Sequence, residues 1–481
     1  MQLFAYSQVE SSKEKLIIWV GIRGQSNPLA SKVLFTFNTQ PLSPQSFIPF
    51  ESLPHSNPLF YRAIFTFNWS SITIKNVRIN VTYGEQTVSL ASKKIPDALP
   101  ELEAGSFNLL LASCYYQPND KAGESSLSRQ IKQIKPTPDL IYFAGDQVYL
   151  DLPSLESLPA DMIGLTQILE EKYSRNWFTL PNQSGLAEIL SLAPVLCIPD
   201  DHEYWNNFPY FQAQLNNTWS ADGRDNWKAV AQDLYRLYQM NKEQEDGYFR
   251  MDIEPLRMLF LDGRSERDDN GNQMFTSKSQ QAILKWTDDL LKAEKPAVGL
   301  LSTGQVLLIE KQDQFNRNVF DAEMPNYKDY AILQQSLTKL IEAGIPVIYL
   351  TGDVHWGRII EGTKDNQILL YEIVSSPSRL QDFIVKDQKN AIMDRIKGLW
   401  GQSKPFPRHD DPPEKAPSIK LANLIFKVEW KQSGDHVAML KFNRIPGGIA
   451  LAVDYICTDE DAEKRNSFNR SNGWVKIRNL N

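Results

Sequence analysis

Two rhythms divide the chain. Over the first hundred residues, short runs rich in β-branched and aromatic side chains alternate with Asn-Pro, Pro-rich or Gly breaks: KLIIWVGI, KVLFTFN, YRAIFTFNW and VRINVTYG. That is the pattern of short strands joined by turns, and no helical period interrupts it. A small β-sandwich over residues 1–104 is the expectation. The turn-rich segment KKIPDALPELEAG closes it near Gly105. Beyond that point apolar runs (FNLLLAS, DLIYFAG, PVLCIPD, LRMLFLD, VGLLST, PVIYLTG) alternate with longer amphipathic stretches. Near-continuous apolar runs suit strands buried on both faces of an α/β sheet. LPADMIGLTQILEEKY, SKSQQAILKWTDDLLKAE and DYAILQQSLTKLIEAG carry apolar residues three and four apart and predict helices. ANLIFKVEW, HVAMLKFN and GIALAVDYI predict three late strands. Ahead of them, about residues 380–420, an amphipathic helix and a loop rich in proline and charge are positioned to act as a lid.

Composition narrows the class. The 481 residues exceed the size at which one core usually stops growing, so a second domain over residues 105–481 is expected beside the first. With 42% hydrophobic and 23% charged residues the chain is ordinary for a globular protein. A formal charge of −7 argues against a broad nucleic-acid or anionic-membrane surface, though not against a small phosphate site. Three cysteines, Cys114, Cys197 and Cys457, make no disulfide framework. With no basic start followed by an apolar run, and no stretch of ~20 apolar residues, a cytoplasmic location is expected. A periplasmic or secreted one follows if a signal was removed. Oligomeric state is not legible.

The chemistry collects at strand ends. FNLLLAS runs into Cys114, DLIYFAG into Asp146 with Tyr149 three residues later, PVLCIPD into Asp200, Asp201, His202 and Glu203, and PVIYLTG into Asp353 and His355. Ligands of α/β sheets bind just beyond the carboxyl ends of strands, where such residues converge. Singly, each has a plain structural explanation: Asp as turn former or helix cap, Cys as a small buried hydrophobe, Tyr or His as a packed, hydrogen-bonded side chain. Four at one topological position, including two of only five histidines, point to a site. Carboxylates favour hard cations, whereas phenolate and thiolate favour a transition metal, so a mixed-metal centre is expected and a closed zinc site is not.

In this order the motifs resemble the PhoD-like alkaline phosphatases of the metallophosphoesterase (calcineurin-like) superfamily: Ser113-Cys114, Gly145-Asp146-Gln147-Val148-Tyr149, Asp200-Asp201-His202-Glu203 and Gly352-Asp353-Val354-His355. LDGR at residues 261–264 and the Gln280 to Trp286 helix add to the likeness, with Thr287 where the family has Leu. The resemblance covers roughly residues 107–376. It implies an αββα sandwich preceded by an immunoglobulin-like β-sandwich, and hydrolysis of phosphate monoesters or diesters of small molecules by a metal-activated hydroxide. It further implies Cys114, Asp146, Tyr149, Asp201 and Asp353 as metal ligands, with Asp146 bridging. His202 would stabilise the transition state or protonate the leaving oxygen, and His355 would bind metal or substrate. Arg264 would hold the phosphoryl group, its alternative being a surface salt bridge. Iron (Fe3+) with calcium (Ca2+) are the implied ions, Mn2+ or another divalent metal the substitute. Asn206 and Asn207 would lend an amide oxygen to a metal or serve as caps or turns; Arg358 would meet phosphate or, more simply, a carboxylate. Two other functions compete: a non-catalytic binding module on a decayed phosphatase scaffold, and a serine acyl hydrolase. The chain contains no Gly-x-Ser-x-Gly elbow for the latter, and SSPSR at Ser375 reads as a loop after a strand.

Overall fold

In a computed structural model of the chain, residues 1–53, 60–72, 76–120, 126–153, 158–178, 184–309, 323–379, 413, 415–416, 419–458 and 475–480 are described. They form a mixed α/β architecture of three sheets and, among the described residues, six α-helices. The first hundred residues supply β1 (Gln2–Gln8), β2 (Lys15–Arg23), β3 (Leu34–Phe37), β4 (Gln40–Pro41), β5 (Ser46–Glu51), β6 (Phe60–Asn68), β7 (Asn76–Tyr83) and β8 (Gln86–Lys93). Next come β9 (Phe107–Ala112), α1 (Leu127–Gln133), β10 (Leu140–Ala144), α2 (Met162–Trp177), α3 (Ala187–Leu190), β11 (Val195–Ile198) and α4 (Ala221–Tyr238). The third stretch carries β12 (Tyr248–Ile253), β13 (Leu256–Leu261), α5 (Ser277–Leu291), β14 (Val298–Gly304), α6 (Tyr330–Glu342) and β15 (Val347–Thr351). The last holds β16 (Gly357–Lys364), β17 (Gln367–Val374), β18 (Ile425–Gln432), β19 (His436–Ile445), β20 (Gly448–Cys457) and β21 (Val475–Leu480).

A ten-stranded sheet runs β21–β20–β19–β9–β10–β11–β1–β2–β6–β5, a seven-stranded sheet β12–β13–β14–β15–β17–β16–β18, and a four-stranded sheet β4–β3–β7–β8. Strands β9, β10 and β11 are mutually parallel, as are β13, β14, β15 and β17. Their apolar side chains, among them Leu109, Tyr142, Ile198, Met258, Leu300, Ile348 and Tyr371, meet in one buried cluster between the two larger sheets. Helices α1 to α4 bury Ile131, Leu169, Trp177, Trp227 and Leu234 on the other side of the ten-stranded sheet. Helices α5 and α6 bury Trp286, Leu290, Leu333 and Leu337 against the seven-stranded one. Among the described residues no helix is long and apolar enough to cross a membrane.

The helix ends follow local chemistry. The run expected from residue 158 turns helical only at Met162, because the Asp161 carboxylate accepts the Gly164 N–H at 2.8 Å and caps the first turn. Thr276 caps α5 in the same way, accepting from Ser279 N at 2.9 Å. Strands from the first hundred residues pack Leu3, Ile18, Phe35, Phe65 and Ile79 into a core of their own. Hydrogen bonding nevertheless runs on across Gly105: β1 pairs in parallel with β11, Gln8 opposite Val195. Phe4, Tyr6, Trp19 and Phe60 also pack with Trp177, Phe178 and Tyr238 of the helical layer. The lid expected over residues 380–420, with Ile392, His409 and Asp410, lies outside the described residues but for a few positions.

Candidate metal centre

Because both central sets of strands are parallel, their carboxyl ends open at one edge. β9 delivers Cys114, β10 delivers Asp146 and Tyr149, β11 delivers Asp200 to Glu203, β13 leads to Arg264, and β15 leads to Asp353 and His355. The loops cross-link at once: Cys114 N–H donates to the Gly145 carbonyl at 3.2 Å and Tyr115 N–H to the Asp146 carbonyl at 2.8 Å. Four of the strand-end residues, Cys114, Asp146, Asp353 and His355, have φ of 52°, 58°, 71° and 55°, and Asn207 has 65°. A non-glycine residue held there costs of order 1–3 kcal/mol, and such strain persists only where the surroundings impose it. It aims side chains that an extended strand would have pointed elsewhere. Close packing enforces the turns: a Cβ on Gly352 would stand 2.2 Å from Ser113 Oγ, and one on Gly145 2.4 Å from Asp200 Cβ.

The result is a nest of acids. One oxygen from each of Asp146, Asp200, Asp201 and Asp353 lies within 4.8 Å of the others, and Asp146, Asp201 and His202 form a second such group. Asp146 and Asp201 belong to both. Cys114 Sγ stands 3.3 Å from Asp146 Oδ2. The Tyr149 hydroxyl is buried with no hydrogen-bond partner among the described residues, and so is Asn207 Oδ1. Buried polar atoms are normally satisfied, so orphans beside an acid cluster fit atoms that face a cation. Burial, above all, pushes the Asp146 carboxyl well above the carboxylate range, with Asp201, Asp200 and Glu203 adding to it against the pull of His202. It likewise raises the Cys114 thiol and the Tyr149 phenol, each further raised by neighbouring acids. Such a cluster is short of positive charge. Carboxylate, thiolate, phenolate and amide oxygen together suit hard and softer cations side by side, so the residues present fit the metal ions that the motifs implied.

Two carboxylates that the motif reading left without a role hold this nest in place. Glu203 is wholly buried and accepts the N–H groups of Asp146, Gln147, Val148 and Asp200 at 2.7 to 3.2 Å, with Gln239 Nε2 at 3.2 Å. It thereby fixes the turns of two motifs against each other. Burial pushes its pKa up to about 7, against the N–H donors that pull it down. Asp151 bonds His202 Nδ1 at 2.8 Å and accepts Asn206 N–H at 2.9 Å. Burial draws the His202 pKa down, but Asp151, Asp201 and Asp146 outweigh it and leave the ring well above its ordinary value. The Tyr149 ring lies 4.1 Å from the imidazole, centroid to centroid. Asp151 follows Tyr149 by two residues; an acid so close to a motif was the one available sequence signal.

The remaining candidates sort by geometry. Arg264 is buried, 1% exposed, with Nε donating to Asp200 Oδ1 at 2.6 Å and Nη2 lying 3.9 Å from Asp201 Oδ1. It is thus an interior ion pair at the rim of the nest, where the sequence alternative was a surface salt bridge. His355 is half-buried, its N–H donating to Ser376 Oγ at 3.1 Å. Of the two uses weighed for Arg358, the structure shows the carboxylate: Nη2 meets Glu372 Oε2 at 2.8 Å while the guanidinium lies over Trp356. Asn207 N–H donates to Asp201 Oδ2 at 2.8 Å, and the Asn206 carbonyl accepts from Gln212 Nε2 at 2.6 Å.

The edge of the parallel strands thus bears a buried acid nest able to hold metal, the placing of a site in an α/β enzyme. Residues 109–398 match the PhoD-like phosphatase family, more than half of the chain, and the protein belongs to that family. No curated protein matches it.

Proposed function

We propose that the protein hydrolyses phosphate monoesters or diesters of small molecules at this centre. The observation that carries the reading is the convergence of Asp146, Asp200, Asp201 and Asp353 within 4.8 Å at the mouth of the parallel strands of a PhoD-like phosphatase. Cys114, Asp146, Tyr149 and Asp353 would hold one ion, with iron the best match for thiolate and phenolate. Asp146 and Asp201, with Asn207 Oδ1 beside them, would hold a harder ion such as calcium. Bound there, cations supply the Lewis acidity that makes water a nucleophile near neutral pH and offsets charge on phosphoryl oxygens. The chain's own part is positioning. Asp151 keeps the His202 imidazole oriented and favours its charged form, which suits it to give a proton to the leaving oxygen. Arg264, seated on Asp200, brings fixed positive charge to the rim, where a phosphoryl oxygen is drawn. His355 would meet substrate or metal from the last loop. The stacking of helices, two sheets and helices is read as the expected αββα layering, and the first 104 residues as the expected small sandwich.

The test is direct. Purified protein should hydrolyse an aryl phosphate, lose that activity on exhaustive chelation, and regain it with iron plus calcium. Hydrolysis that survives both chelation and Asp146→Ala overturns the reading.

A further inference from the structure

The loop after β17, SSPSR, folds back over the first strand-end motif more tightly than a connecting loop requires. Ser113 Oγ donates to the Ser375 carbonyl at 2.9 Å, Ser378 N–H to the Ser113 carbonyl at 2.8 Å, and Tyr116 N–H to the Arg379 carbonyl at 2.8 Å. Arg379 closes the loop with buried pairs to Asp120 at 3.2 Å and Asp435 at 3.4 Å. The outcome is the placement of one hydroxyl. Ser376 is fully buried; its Oγ accepts the His355 N–H at 3.1 Å and lies 3.1 Å from Cys114 Sγ. A backbone N–H can only donate, so it occupies a lone pair, and the single hydroxyl proton is left for the sulfur.

That proton matters once Cys114 binds a cation. A coordinated cysteine is a thiolate and has no proton to give the Asp146 carboxylate 3.3 Å away. A hydrogen bond donated to a coordinated sulfur draws electron density off it, which weakens its donation to the metal and tunes the ion's potential. We infer that Ser376 is a positioning residue for the metal centre: its hydroxyl donates to the Cys114 thiolate while its oxygen anchors the backbone of His355. The inference rests on the reading of Cys114 as a metal ligand. It links the first and last motifs through a residue that belongs to neither, and it leaves the ion beside Cys114 the stronger Lewis acid.

The test uses full-length protein loaded with ferric iron, as the wild type, Ser376→Ala and Ser376→Thr. The thiolate-to-iron charge-transfer band should move to lower energy in Ser376→Ala, with a lower midpoint potential, and return towards the wild-type position in Ser376→Thr. Resonance Raman spectra separate the Fe–S stretch from phenolate ring modes of Tyr149. In the wild type that stretch should shift on exchange into D2O, and this sensitivity should vanish in Ser376→Ala. The D2O shift of the wild type decides the matter even where the alanine variant does not fold. A wild-type Fe–S stretch indifferent to D2O, or a band unmoved in a folded Ser376→Ala, overturns the inference while leaving the metal centre standing. Absence of any thiolate-to-iron band in iron-loaded wild type removes Cys114 from the ligand set, and the inference falls with it.

Discussion

Asp151 and Glu203 shape the site from behind, and they do so by different means. Asp151→Asn keeps an acceptor for Asn206 N–H but removes the charge beside His202 Nδ1. Loss of a positioned general acid typically costs about 10²-fold or more; kcat for an aryl phosphate should fall by that order with metal content unchanged, as steady-state kinetics and elemental analysis would show. Glu203→Ala strands four buried N–H groups, each worth about 1–3 kcal/mol when unsatisfied. Its signature is opposite: a lowered urea midpoint and poor metal retention. Arg264→Met removes the guanidinium beside buried Asp200, and breaking such a buried ion pair typically destabilises by about 3–5 kcal/mol, again read from the urea midpoint. Much of the acid nest was legible in the sequence, because a polar residue breaking an apolar run is conspicuous wherever it ends up. Asp151 was not, since a lone Asp after a strand looks like a turn former. Neither was Ser376, whose partner Cys114 lies 262 residues away in the chain. The left-handed backbone of Asn207 leaves no trace in composition.

The elements themselves were the most readable layer. The helices expected around Met162, Ser277 and Tyr330 exist, as do the six apolar strands and the three late ones; β16, β17 and β21 were not anticipated. Periodicity fixes such elements because each buries one face or both, and that burial selects the pattern. β1, β8 and β12 are short runs with mixed polar positions, and their strand character comes from neighbours rather than from themselves. α4 carries an amphipathic stripe (Trp227, Val230, Ala231, Leu234, Tyr238) behind an acidic, glycine-containing start that hides it. Caps then set the boundaries. Replacing Thr276 by Ala removes the hydroxyl that holds Ser279 N–H and should cost about 1 kcal/mol by denaturant unfolding, without altering the site. A loss of metal binding in that variant would show that α5 reaches further into the centre than its packing implies.

At the scale of the whole molecule the proposed metal site would couple ligand binding to stability. Charges that repel in a dry interior are neutralised by bound cations, so iron and calcium should raise the unfolding midpoint in proportion to the logarithm of their concentration. At about a hundredfold over Kd the gain is ~2.7 kcal/mol; differential scanning calorimetry of metal-free and loaded protein checks it. A midpoint indifferent to metal would mean that the nest is balanced from within. The change of pattern near Gly105 was legible as well, but not the ladder that crosses it. Single-sequence rhythm reports what each strand buries, not which strand it finds, and a parallel pairing between residues 8 and 195 has no local signature.

That ladder has a practical corollary. Excising residues 105–481 at the visible change of rhythm would strip β11 of one of its two neighbours, the strand that pairs with it at Val195, and uncover that end of a strand whose side chains are all buried in the full sequence. An uncovered apolar edge is a template for unwanted strand addition. The shortened protein should therefore self-associate, while the intact chain carries its own edge guard in its opening strand.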